Sequence, residues 1–192
     1  MSSVSTSLLA YNLLQMEIVK YQKDAAEQAD KKRKQMFSRK EEDMEACAIL
    51  KEEDSVIVQL FTHGSAETRL EAMGFRIGKT LCEKNSKEVA RLSSSLEIMK
   101  FVCKDFWSYA FAKQADNLKT NNQGIFVIFD NSFSFLVNFS KGKQFVESCG
   151  IHLALPSGII RGALAALNVK AVVTASIETL PAAKFQIHLQ SN

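Results

Sequence analysis

Apolar positions along this chain fall first at helical spacing, then in short β-rich runs, then at helical spacing again, and finally in two more β-rich runs. No Gly or Pro occurs before Gly64. Leu8, Leu9, Tyr11, Leu13, Leu14, Met16, Ile18 and Val19 predict a first helix with a broad apolar face, capped by Ser5 or Ser7. Leu70, Met73, Ile77 and Leu81 predict a second helix over Thr68 to Lys84, with Phe75 on a neighbouring face. Glu88 to Ser95 reads as a polar connection. From Ile98 to Gly124 nothing breaks a helix until the final residues. Placed at about 100° per residue, Ile98, Met99, Val102, Cys103, Phe106, Trp107, Tyr109, Ala110, Phe111 and Leu118 cover more than half the circumference. A surface helix shows a narrower stripe, so this one is expected to be buried on two sides.

Asn121-Asn122-Gln123-Gly124 ends that run, and two strands are predicted after it, Ile125 to Asp130 and Ser134 to Phe139. The Asp130-Asn131-Ser132-Phe133 corner suits a tight turn, which predicts that they pair antiparallel. Gln144 to Leu167 is helical in pattern, with Pro156 expected to kink or split it. Its Gly158, Gly162, Ala163, Ala165 and Ala166 form a side small enough for close approach of a neighbour. Ala171 to Ile177 and Lys184 to Leu189, linked across Leu180-Pro181, complete the set as strands. Without regular βα alternation, this order predicts an α+β domain, a helical layer packed on an antiparallel sheet.

A length of 192 residues with 46% apolar content fits a single domain spanning 1–192 with a sizeable core. Charge qualifies that picture in one place. Lys20 to Asp54 holds 19 charges in 35 residues, basic at Lys31 to Lys34 and Arg39-Lys40, acidic at Glu41 to Glu45 and Glu52 to Asp54. With few apolar positions to pack, it reads as an inserted segment at about 20–65, mobile or marginally helical. Its basic cluster is best taken as a solvated linker, with a nuclear signal or an anionic-lipid contact as alternatives. Val56 to Phe61 is an apolar run of unassigned structure. A net charge of +3, from 24 basic and 21 acidic residues, does not favour nucleic acid or membrane as the main partner. The N-terminus has no basic n-region of a signal peptide, and no apolar run reaches the ~20 residues of a membrane span.

Candidate chemistry is sparse. Cys47, Cys82, Cys103 and Cys149 form no CxxC and sit in apolar helical patterns, as buried reduced thiols do. His63, His152 and His188 lie in no catalytic or metal-ligand spacing. Gly74-Phe75-Arg76-Ile77-Gly78-Lys79-Thr80 superficially suggests a phosphate loop, but it has three residues between its glycines where the motif needs four, and Ala66 to Met73 before it is helical in pattern. Asn138-Phe139-Ser140 is a formal glycosylation triplet in a chain read as cytosolic. No catalytic residues, metal or cofactor are expected, and the wide apolar faces become the functional candidates.

Glu97-Ile98-Met99-Lys100-Phe101-Val102-Cys103-Lys104-Asp105-Phe106-Trp107, with Lys113-Gln114, Asp116-Asn117-Leu118, Thr120-Asn121 and Gln123-Gly124, closely resembles the Bet-three-like family of TRAPP vesicle-tethering small subunits, in its sixth-subunit branch. Met73-Gly74-Phe75-Arg76-Ile77-Gly78, Asp130-Asn131, Gly142-Lys143-Gln144, Gly158-Ile159-Ile160-Arg161-Gly162, Val173-Thr174-Ala175 and Leu180-Pro181 with Lys184-Phe185-Gln186 extend the match over about Leu70 to Leu189. The resemblance implies a helical layer over a twisted four-stranded antiparallel sheet. It also implies a non-catalytic structural subunit that pairs as a heterodimer with a Bet-three-type subunit through its first two helices. The implied assembly includes other TRAPP subunits, tethers vesicles and exchanges nucleotide on a Rab-type GTPase in ER-to-Golgi and Golgi traffic. It is cytoplasmic and at most peripheral to cis-Golgi and ER membranes. Carried over, Leu70, Met73, Phe75 and Ile77 are interface candidates, and Leu9 and Leu13 join them by pattern.

This chain departs from the family in three places. Bet-three subunits carry an acylated Cys before the long helix, whereas Glu88 to Ser95 has none, so no acylation is expected. The stretch from Lys20 to Ser65 is longer and more charged than is usual in this branch. Pro156-Ser157 stands where a Thr-Cys pair is common. The alternative reading is a module of related fold holding an apolar ligand between helices and sheet, motivated by the small residues Gly158 to Ala166.

Overall fold

A computed structural model describes residues 2–39, 64–86, 92, 94–121, 123–139 and 146–190, with first-helix side chains described from Ala10 to Lys32. Helix α1 runs Ser2–Arg39. It does not close near Val19, as the density of charge beyond that point suggests. Residues 20–39 are rich in Ala, Glu, Gln, Lys and Arg, all strong helix formers. Opposite charges also stand four apart at Lys20/Asp24, Lys23/Glu27 and Glu27/Lys31. The acidic half of the charged segment, Cys47, Val56 to Phe61 and His63 lie outside the described residues.

Helix α2 spans Ala66–Asn85. Ser65 caps it, its hydroxyl accepting from the Thr68 amide at 3.2 Å. The helix runs unbroken through Gly74 to Thr80, so the lookalike phosphate loop is a helix whose glycines pack. Helix α3 (Ser95–Phe101) opens on a reciprocal capping box between Ser94 and Glu97. It passes through a π turn, Val102–Phe106, into α4, Trp107–Phe111. Ala112, at φ 62°, then turns the chain out of the helix.

That stop falls earlier than the helix pattern implies, and it alters the strand assignment. Asn117–Thr120 is strand β1, antiparallel to β2 (Ile125–Asp130) with Leu118 opposite Ile128. The hairpin between them is built by Asn121, whose Oδ1 accepts from the amides of Gln123 and Ile125, and by Gly124 at φ 83°. Ser134 to Phe139, expected as a strand, is a series of turns. Phe133, Ser134, Phe135 and Leu136 are all buried in succession, which a half-buried strand with alternating faces cannot achieve.

Helix α5 (Val146–Cys149), a 3₁₀ turn (Gly150–Leu153) and α6 (Ala154–Ala166) replace one kinked helix. The break comes at Gly150. Pro156 sits in the first turn of α6, where its missing N–H has no intrahelical partner to lose. Strands β3 (Ala171–Ser176) and β4 (Ala183–Leu189) fall where the sequence places them, joined through the cis Leu180-Pro181 bond. The sheet order is β1-β2-β4-β3, antiparallel throughout, with helices on one face. Trp107 lies at the core's centre, in edge contact with Phe111 and Phe185 and tilted against Phe133.

The small-residue side of α6 is filled by α2. A Cβ added at Gly158 would strike the Glu71 carbonyl, one at Gly162 the Phe75 carbonyl, and one at Gly78 the Ile159 carbonyl. The small residues that motivate the ligand reading thus form a helix–helix contact.

Candidate partner-binding surface

An amphipathic helix normally buries its apolar side. Helix α1 departs from this over its described side chains, burying polar residues beside Val19 and leaving large apolar ones in water. Asn12, Gln15, Val19 and Gln22, spaced three, four and three apart, face inward and are buried. Leu13, Leu14 and Tyr21 face outward, 52%, 59% and 69% exposed. Asn12 Oδ1 and Gln15 Oε1 are buried without a hydrogen-bond partner. Gln22 Nε2 reaches Met73 Sδ at 3.6 Å and ties α1 to α2. Tyr11 meets Phe135 edge-on, 6.2 Å between ring centres.

The expected interface residues on α2 divide among three environments. Met73 and Ile77 stand one turn apart and line a groove of about 480 Å³ with Arg76, Thr80 and Leu81. Ile77 is exposed and Met73 half-buried. Phe75 lies on a different side, under the Arg161 guanidinium at 5.2 Å, and Arg161 pairs with Glu71 at 3.2 Å. Leu70 is fully buried in the chain's own core and offers no surface, which corrects its place among the candidates. The i, i+3, i+7, i+11 spacing of helix two cannot separate core from partner contact, because both are apolar. Leu13 is outward-facing, while the side chain of Leu9 lies outside the description. Leu14 and Tyr21 also belong to the outward side, though neither is an expected interface residue. Taking the helix to end near Lys20 hid Tyr21, which stands two turns beyond Leu14.

The described cysteines and His152 are shifted away from reactive forms. Cys82, Cys103 and Cys149 are free thiols. Burial pushes Cys103 up to about 12, and burial with the Glu83 charge pushes Cys82 to about 11, so both stay protonated. Burial and Lys23 push His152 down to about 4. No group of three or more His, Cys, Asp or Glu among the described residues is placed to hold a metal. No helix among them is long and apolar enough to cross a membrane.

The family described as transport protein particle (TRAPP) component matches residues 11–190. The mouse protein named trafficking protein particle complex subunit 6B is 49% identical over 128 residues, which make up 67% of this chain and 81% of the relative. The bovine subunit 6A is 47% identical over 121 residues, 63% of this chain and 76% of that one. Among solved structures, trafficking protein particle complex subunit 3 of Naegleria fowleri, covalently bound to palmitic acid, superposes with a TM-score of 0.53. That match covers 89% of this chain and 96% of the other at 14% identity, a likeness of fold.

Proposed function

The chain belongs to the TRAPP component family, as a small subunit of the sixth-subunit type, and on that premise we propose that it is a non-catalytic structural member that pairs with a Bet-three-type subunit through α1 and α2. The observation carrying this reading is the outward apolar side of α1, together with the Met73/Ile77 groove of α2. Leu13, Leu14, Tyr21 and Ile77 leave large apolar side chains in water, which a helical partner surface would cover. In the assembly the chain has a cytoplasmic building role in vesicle tethering and in nucleotide exchange on a Rab-type GTPase, in ER-to-Golgi and Golgi traffic. Membrane association comes at most through the complex, peripherally.

Ile77→Asp tests the pairing better than a change at Phe75, because Phe75 also packs under Arg161. A charge placed in a desolvated contact costs on the order of 2–4 kcal/mol, enough to weaken pairing at least thirtyfold. The variant is expected to keep its melting temperature in isolation and to lose co-elution with a Bet-three-type subunit. Unchanged co-elution sinks the interface.

A further inference from the structure

Among the described residues, the helices cover one face of the sheet. On the other face, β2 contributes Ile125, Val127 and Phe129, all half-buried, although its inward residues Phe126, Ile128 and Asp130 already meet the core. A sheet that shows one face to water places polar residues on that face. A central strand apolar on both faces is the pattern of a sheet covered on both sides. In register beside these residues stand Lys184, Gln186 and His188 of β4, and Lys119 of β1. Val172 of β3, 45% exposed, extends the apolar strip across His188.

The charge on this face has one sign. The Lys119 ammonium lies 5.1 Å and the Lys184 ammonium 5.9 Å from the Phe129 ring centre. The outward positions of the four strands hold no carboxylate. Glu178, in the loop before β4, reaches Lys184 only at 3.8 Å and is itself largely exposed. From this we infer that the open sheet face is a second docking surface, for a protein segment with an apolar ridge flanked by carboxylates. Ile125, Val127 and Val172 take the ridge, and Lys119 and Lys184 take the carboxylates. A protein fits better than an anionic membrane, because membrane recognition draws on clusters of about 4–8 cations and here two lysines lie against an aromatic ring. The inference rests on the complex-subunit reading. It adds that this subunit bridges two neighbours, one on its helices and one across the sheet.

The test uses the full chain co-purified with the other subunits of its particle. Carbodiimide, which joins lysine amines to carboxylates in direct contact, is expected to link Lys119 or Lys184 to a subunit that Ile77→Asp does not release. The double variant Lys119→Glu/Lys184→Glu should reduce retention of that subunit roughly tenfold while the helix-side partner stays bound. Val172→Asp gives an independent change on the same face, and thermal melts of the isolated variants report folding. Crosslinks confined to this chain's own carboxylates overturn the inference, as does full subunit retention. So does loss of binding to anionic vesicles with subunit composition unchanged. If the chain co-purifies and only the sheet-face variants are silent, the complex-subunit reading stands without the second surface. Failure to co-purify at all overturns both.

Discussion

Asp130 is the most connected polar residue described in the core. Its carboxylate accepts from Trp107 Nε1 at 3.0 Å, from Lys113 Nζ at 2.6 Å and from the Ser132 amide at 3.0 Å. Asp116 accepts from Lys113 and from the Asn131 amide beside it, so the chain leaving α4 is fastened to the end of β2. Asp130→Ala strands the indole N–H in the core and leaves Lys113 paired with Asp116 alone. A buried donor without a partner costs about 1–3 kcal/mol, and the other lost bonds add to it, so urea unfolding should register a loss of roughly 3 kcal/mol. Trp107 is legible in the sequence as core. Its partner is not, because contact across 23 residues depends on where the helix stops, and Asp130 reads locally as a turn residue.

Among the described residues, two shifted groups bear on acid unfolding. His152, held down at about 4 against an ordinary 6.5, binds its proton more readily in the unfolded chain. Stability should therefore fall as pH drops from 6.5 towards 4. Asp116 lies below its ordinary 3.8, chiefly through the Asn131 amide and secondarily through Lys113. Its contribution is present above that value and is lost at still lower pH. His152→Gln should remove the first decline and leave the second. A curve unchanged by that substitution would show that His152 is not the group titrating.

Among the elements, the α2–α6 contact is the tightest and the most readable from sequence. Gly74 and Gly78 on α2 meet Gly158 and Gly162 on α6 so closely that any Cβ strikes opposing backbone. Backbone cannot rotate aside as a side chain can, so Gly158→Ala and Gly162→Ala should each cost at least the ~1–3 kcal/mol of an overpacked core. Gly150, where an added Cβ meets nothing within 4 Å, makes the control. Gly150→Ala should change stability by no more than about 0.5 kcal/mol. Small residues at helical spacing announce close approach, and they do so regardless of the partner's position in the chain. The long helix is harder to read. Its apolar arc is too wide because one angular step per residue is carried through a π turn and into a strand. Leu118 belongs to β1, Tyr109 stays exposed, and Met99, Val102, Phe106 and Trp107 form the buried side. The four-residue β1 is too short to show a period of its own, whereas β3 and β4 are long enough to do so.

At the scale of the whole molecule, the α+β architecture follows from the sequence pattern, and the direction of α1 does not. Periodicity says that a helix has two unlike sides without saying which one turns inward. Here the inward side holds Asn12, Gln15 and Gln22 beside Val19, and the outward side holds Leu13, Leu14 and Tyr21. That arrangement separates stability from pairing in a testable way. Gln15 Oε1 is buried with no partner, so Gln15→Leu removes an unsatisfied acceptor and adds apolar contact, against the loss of the Gln15 hydrogen bond to Tyr11. The isolated chain should gain about 1 kcal/mol on chemical unfolding. Leu14 contributes little to the isolated fold, so Leu14→Ser should leave its unfolding within about 0.5 kcal/mol. Its cost should appear in calorimetric titration with a Bet-three-type subunit, as roughly 1–2 kcal/mol of lost affinity. If Leu14→Ser instead destabilises the isolated chain and Gln15→Leu weakens pairing, then α1 turns its leucines inward, and the partner surface must be sought elsewhere.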